Sequence, residues 1–228
     1  MTRKAALLAV ALALAGCAPG PRAYVAEPLS GAWRVGILPL ANYTPTRDAP
    51  DRLAPMLAVA LAEHPGIQVV DMGRVEAALA KQPWIMSDRL PPDLVDSLGA
   101  EMGANALLVG SVLAYGYRES DGSQIPQVSL SLRLLEVPGG KVLWSAVHSR
   151  DGGDSESVFG IGRVSSLERL ASETVEAILS TLPPVRGGKG SSGPAAPGDS
   201  EKLNRSEVST TPAQAAGRTG SVTLGNGR

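Results

Sequence analysis

The stretch Ala104-Asn-Ala-Leu-Leu-Val-Gly-Ser-Val112 decides how the chain is read. Its centre, Ala106-Leu-Leu-Val109, is continuous and apolar, the mark of a short buried strand. Just upstream, Pro91-Pro92-Asp93 opens a helix that turns Leu94, Val95, Leu98 and Met102 inward. Gln82–Leu90, holding Trp84, reads as a loop before it. Further back, Asp71 is placed to cap a helix through Lys81, with Val75, Ala78 and Leu79 on its inner face. Ile67–Val70 is a short strand. A helix from about Asp51 to Glu63 carries Leu53, Met56, Leu57, Ala60 and Leu61 at helical spacing and stops at His64-Pro65-Gly66. Asn42–Pro50 is a turn-rich loop, and Arg34–Leu40 is a strand rich in β-formers, ending at Pro39.

Downstream, a loop around Gly122 leads to Val128, Leu130, Leu132 and Leu134, which alternate with Ser129, Ser131, Arg133 and Leu135. That alternation predicts a strand with one mostly polar face. Gly139-Gly140 predicts a hairpin turn returning through Val142–His148. Ser165-Ser166-Leu167-Glu168 matches a capping box with Ser165 as N-cap. Leu167, Leu170, Ala171, Val175, Ile178 and Leu182 then trace one helix face before Pro183-Pro184 ends it. Strands first separated by helices and then joined as a hairpin predict an α+β fold, a mixed sheet with helices packed on it.

Composition sets the outer bounds. Of 228 residues, 43% are hydrophobic and 4% aromatic, with a single Phe, so the core is built from Leu, Val, Ala and Ile. The net charge of −1 argues against a strongly charged partner. Gly31–Leu182 holds 12 basic against 18 acidic residues, whereas Pro183–Arg228 holds 6 against 3. The latter segment has no Phe, Tyr, Trp or Ile and reads as a disordered tail.

The lone cysteine, Cys17, takes its meaning from position. Arg3 and Lys4 precede the apolar run Ala5–Ala15, and small residues follow, as in a secretory signal. The run is too short to span a bilayer, which takes about 20 residues. Leu14-Ala15-Gly16-Cys17 resembles the lipobox of bacterial lipoproteins. The resemblance implies that the thiol carries a diacylglycerol, that cleavage falls before Cys17, and that the new amino terminus is acylated. Two or more chains anchor stably where one binds marginally. Ala18 in place of Asp implies the outer membrane. The expected organisation is a signal at 1–16, a lipidated tether at 17–30, a globular domain at 31–183 and a tail at 184–228.

A wider resemblance rests on Val35-Gly-Ile-Leu-Pro-Leu40, Leu53 to Leu61, and Val69-Val70-Asp71 with Arg74-Val75-Glu76. It continues in Leu98–Ser111, Leu134-Leu-Glu-Val137 and Gly140-Lys-Val-Leu-Trp-Ser145. Together these resemble the superfamily of the curli secretion channel lipoprotein and the lipoprotein activator of penicillin-binding proteins, whose domain is similar to the N-terminal domain of TolB. The resemblance spans about two-thirds of the chain, Arg34–Leu182. It implies a lipid-anchored, non-enzymatic envelope protein that binds a protein partner, or a subunit of an oligomeric export complex. Two departures stand out. No spare pair of long strands carries outward apolar alternation for a barrel. The 13-residue tether Ala18–Ser30 reaches a few tens of ångströms at about 3.5 Å per residue, so the domain stays near the membrane.

Residue chemistry argues against catalysis. His64 and His148 lie at no metal-ligand spacing, and no second Cys is present. Asp151-Gly-Gly-Asp-Ser-Glu156 does not match an EF-hand and reads as a solvated loop. Gly160-Ile-Gly162 lacks the third glycine and P-loop lysine of a phosphate cradle, and reads as a turn that brings Phe159 to the core. No Gly-x-Ser-x-Gly or Ser-x-x-Lys occurs. Basic residues do not cluster with aromatics, which argues against nucleic acid. No cofactor is implied. Tyr115 and Tyr117 are candidate partner contacts or ordinary sheet residues, and Trp144 reads as core. Replacing the one thiol tests the anchor: Cys17→Ala is expected to release the protein from the membrane fraction on cell fractionation and to abolish its labelling by a fatty-acid probe.

Overall fold

The computed structural model describes residues 20–26, 28–82, 89–120, 122–154 and 162–185. Cys17 with its lipobox, Trp84, Phe159, Gly160 and the tail from 186 onward lie outside the described residues. The elements follow in order: β1 (Arg22–Val25), β2 (Trp33–Ile37), β3 (Ala41–Asn42), α1 (Ala49–Ala62), β4 (Ile67–Val69), α2 (Met72–Leu79), α3 (Pro92–Met102), β5 (Ala106–Ser120), β6 (Ser123–Glu136), β7 (Val142–Asp151) and α4 (Leu167–Leu179). The strands make one seven-stranded sheet in the order β1-β7-β6-β5-β2-β4, with β3 also paired to β5. Pairing is parallel for β2 with β4, β2 with β5 and β3 with β5, and antiparallel from β5 through β6 and β7 to β1. This is the mixed-sheet α+β fold expected from the sequence.

Burial explains the strand compositions. Residues 106–109 are fully buried because helices cover both faces of the sheet there. On one face Leu53, Leu57 and Leu61 of α1 and Leu170, Val175 and Ile178 of α4 join Val128, Leu130, Leu132, Leu134 and Trp144. On the other face α2 and α3 bring Val75, Ala78, Val95, Leu98 and Met102 against Leu107, Val109 and Leu135. Trp144 is completely buried, and its Nε1 donates to Thr181 Oγ1 at 3.1 Å. Gly110 sits at a close approach of β5 and β6: a Cβ there would collide with the Ser131 carbonyl oxygen. Asn105 ties β2 to β5 before the ladder begins. Its Oδ1 accepts from Arg34 N at 2.7 Å and its Nδ2 donates to the Ala32 carbonyl at 2.9 Å.

Helix ends follow local chemistry. Asp71 Oδ1 accepts from the backbone N–H of Gly73 and Arg74, the cap read from sequence. Pro92 opens α3, and Gly103 closes it at φ +63°, a left-handed turn that favours glycine. The cap of α4 lies one residue later than the capping box suggests. Ser166, not Ser165, is extended and accepts from Arg169 N, while Glu168 Oε2 accepts from the Ser166 hydroxyl instead of reaching back to the backbone. Leu167 is buried as the first helical residue, so packing sets the start.

Two segments depart from the expected organisation. Part of the segment assigned to a tether is sheet: Arg22–Val25 pairs with Trp144–Val147, Ala26 N donates to the Leu143 carbonyl at 2.9 Å, and Leu29 is buried in the core. An edge strand whose four side chains are all exposed has no apolar alternation to reveal it. The second departure is a long β5–β6 hairpin, paired out to Ser120 and Ser123, where a strand ending at Val112 and a new one from Val128 were expected. Its outer half leaves the core, and polar residues there give no periodic signal. Trp144→Ala empties the centre of the larger core and is expected to cost about 3–5 kcal/mol, lowering the melting temperature by about 10 °C. Trp144→Phe, which loses the bond to Thr181 and part of the ring's packing, should cost less, about 2 kcal/mol, in the same thermal denaturation.

Candidate functional site

The loop from β3 to α1 is built by short polar side chains. Asn42 Oδ1 accepts from Thr44 N at 3.0 Å, and Asn42 Nδ2 donates to the Thr46 carbonyl at 2.8 Å. Such side-chain turns replace backbone pairing where a chain must reverse. Thr46 Oγ1 then donates to the Tyr115 carbonyl at 2.9 Å, latching the loop onto β5. Tyr43 N donates to the Val112 carbonyl at 2.9 Å. Immediately after, the β5–β6 register shifts between Val112 and Ala114, and Leu113 turns outward.

The result is an exposed apolar cluster on a fixed backbone. Tyr43 is 50% exposed, Leu113 44% and Tyr117 52%. Together with Thr44, Pro45, Thr46, Tyr115 and Gln127 they line a shallow hollow of about 350 Å³. Arg118 Nη2 donates to Asp151 Oδ2 at 2.7 Å and ties the outer hairpin to the end of β7. Exposed Tyr side chains on a rigid support supply contact area at little entropic cost, the property of interface anchors.

The two tyrosines singled out in the sequence part company here. Tyr117 lies on the surface and belongs to the cluster. Tyr115 does not: it is 4% exposed, in the core beside Val128, and its hydroxyl is buried without a hydrogen-bond partner among the described residues. Burial raises the Tyr115 phenol pKa above its usual range. Tyr115 therefore supports the cluster from beneath, through its backbone carbonyl, and is corrected from contact to support. Tyr43 and Leu113 were missed. Their one sequence signal is the Asn42-Tyr-Thr-Pro-Thr46 run, in which three side-chain capping residues surround an aromatic.

The remaining candidates are accounted for by structure. His64 Nε2 meets the Leu182 carbonyl at 3.1 Å, joining the end of α1 to the segment after α4. Asp151 and Asp154 bond their own turn: Gly153 N donates to Asp151 Oδ1 and Asp151 N to Asp154 Oδ2. Among the described residues no three His, Cys, Asp or Glu side chains gather where they could hold a metal ion. No described helix is long and apolar enough to cross a membrane.

A mixed-sheet α+β domain with a rigid apolar cluster is the class these observations define. No protein-family model matches the chain, and no curated protein does. Solved structures do. The PelC dodecamer from Paraburkholderia phytofirmans is 21% identical, covers 72% of this chain and 99% of its own, and superposes with a TM-score of 0.50. Lipoprotein GNA1162 from Neisseria meningitidis is 24% identical over 63% of this chain and 95% of its own, with a TM-score of 0.48. The LpoB C-terminal domain from Salmonella enterica is 17% identical over 55% of this chain and 87% of its own, with a TM-score of 0.41. At these identities the likeness is one of fold. A likeness of fold is coarser than the curli-channel and activator superfamily that the sequence resembles.

His148 gives a pH test of the fold that carries the cluster. It is 6% exposed, and burial, with the Arg150 guanidinium next in size, pushes its imidazole pKa below the ordinary 6.5; Asp154 opposes this. Below about pH 6.5 the unfolded chain binds a proton that the folded chain resists, so stability falls as the pH drops through that value. In urea denaturation, the loss of stability between about pH 7 and about pH 5.5 is expected to be smaller in His148→Gln than in the parent.

Proposed function

We propose that this chain is a lipid-anchored, non-enzymatic envelope protein that holds a protein partner on the Tyr43, Leu113 and Tyr117 cluster. The observation that carries the reading is that cluster: three exposed apolar side chains on a loop and a bulge latched together by the Thr46 hydroxyl. An apolar patch held this firmly on a domain surface is a recognition feature. The lipobox ending at Cys17 supports the anchor, and Ala18 supports the periplasmic face of the outer membrane.

A second reading makes the partner another copy of the chain, as a subunit of an oligomeric export assembly. The observation favouring it is that PelC, which shares the fold, forms a dodecamer. Both readings use the same cluster and differ in what covers it.

A photo-crosslinking residue at Tyr43 or Tyr117 in intact cells is expected to capture a discrete envelope protein, and Thr46→Val, which unlatches the loop, to weaken that capture. Adducts of the chain with itself, together with a large particle on light scattering of the detergent-extracted protein, select the oligomer. Capture that is no stronger at the cluster than at the exposed Val59 on α1 overturns the interface.

A further inference from the structure

The sheet ends at β1, and no described strand lies beyond it. Cross-strand register decides which backbone groups that edge presents. Ala26 N donates to the carbonyl of Leu143, the pair that follows Val25 and Trp144 in the β1–β7 register. Along an antiparallel pair, residues that exchange hydrogen bonds alternate with residues that do not. Arg22, Tyr24 and Ala26 therefore bond β7, while the N–H and C=O groups of Ala23 and Val25 point away from the sheet.

The side chains leave this edge accessible. All four residues of β1 are exposed, Tyr24 at 60% and Val25 at 39%. Ala23 and Val25 stand opposite Ala146 and Trp144, on the face that α4 covers, yet the cover stops short of them. Tyr24 stands opposite Ser145 on the other face. An open strand edge is a template for another strand. Pro21, just before β1, has no N–H to offer, so the template is short and consists of the four backbone groups of Ala23 and Val25.

We infer that this edge pairs with the same edge of a second copy, antiparallel, about a two-fold axis at Tyr24. Ala23 then exchanges both hydrogen bonds with the second copy's Val25, and Val25 with its Ala23. A two-fold interface must be self-complementary, and the side chains meet that condition. Tyr24 meets its own counterpart at the position without hydrogen bonds, where opposed side chains come closest. Val25 packs beside the second copy's Ala23 on the helix side. Arg22 falls opposite Ala26, about 14 Å along the ladder from the second copy's Arg22, so the like charges stand more than a Debye length apart.

The chain before β1 favours a second copy as the occupant. From Cys17 to Arg22 is five residues, about 17 Å at full extension. A lipid on Cys17 holds β1 of every copy within that reach of one surface, which raises the concentration of each edge at the next. This confinement rests on the anchoring of Cys17 proposed above; the register does not. The pairing uses none of Tyr43, Leu113 and Tyr117, so it stands apart from the cluster.

The test is disulfide trapping under mild oxidation, in envelopes of cells making the full chain with one added cysteine. Tyr24→Cys sets two thiols directly opposite at a Cα separation of about 4.5 Å, within disulfide reach. Val25→Cys sets them two residues apart along the ladder, about 7 Å or more, beyond it. Cys17 is common to both, so the comparison does not depend on its state. Severalfold more homodimer is expected at position 24 than at 25 or in Val147→Cys. Ala23→Pro removes an outward N–H and no bond to β7, and is expected to abolish the dimer at position 24 while the domain still melts cooperatively. No dimer at 24, equal yields at the three positions, or a dimer that survives Ala23→Pro overturns the pairing. A disulfide to a different envelope protein in place of the dimer overturns the second copy as occupant. Flotation with membranes reads the anchor by itself, and crosslinking at Tyr43 or Tyr117 reads the cluster, so the three failures are distinct.

Discussion

The structure depends on the position of β5 between one parallel and one antiparallel neighbour. Its backbone donors and acceptors are satisfied on one side by β2 and β3 and on the other by β6, and its inner half is buried on both faces. A buried backbone group without a partner is costly, so this strand must be paired along its length before the helices can close over it. Gly110 permits the close approach to Ser131, and Asn105 holds the start of β2 in register. A strand buried in this way has little freedom to slip, because a one-residue shift would turn every inward side chain outward.

Everything of functional interest lies where that constraint relaxes. Beyond Val112 the register shift turns Leu113 out, the parallel neighbour ends, and the hairpin runs on past the buried Tyr115 to an exposed end. The loop after β3 is fastened to it by the Tyr43 backbone N–H and the Thr46 hydroxyl, and the apolar cluster stands on that junction. Toward the opposite edge, away from Leu135 and Val142, β6 and β7 have a described helix on one side only, and their other side chains there include serines, an arginine and an exposed valine. One sheet thereby offers two chemically different surfaces: an aromatic and aliphatic one at the hairpin junction, and a hydroxylic one along β7.

Much of the fold was legible because burial imposes a pattern. The continuous run 106–109, the alternation from Val128 to Leu134 and the spacing of Leu53, Leu57 and Leu61 each state how many faces of an element are covered. The outer hairpin and β1 were not legible, because an exposed strand is held by backbone bonds that leave no mark on side-chain choice. The site was half legible. Tyr115 and Tyr117, two residues apart, share one face of the strand, but Tyr115 lies over the core beside Val128 while Tyr117 stands farther out along the hairpin, where the core ends.

By itself the sequence determined the class of fold, the buried faces and the Asp71 cap, because these follow from local periodicity and position. Only the tertiary structure decided which tyrosine is exposed, that Tyr43 and Leu113 join it, and that Arg22 and Tyr24 share a face with Arg133. Those facts depend on register between strands far apart in the chain. Register is set by pairing and packing across the whole sheet, which no local stretch of residues records.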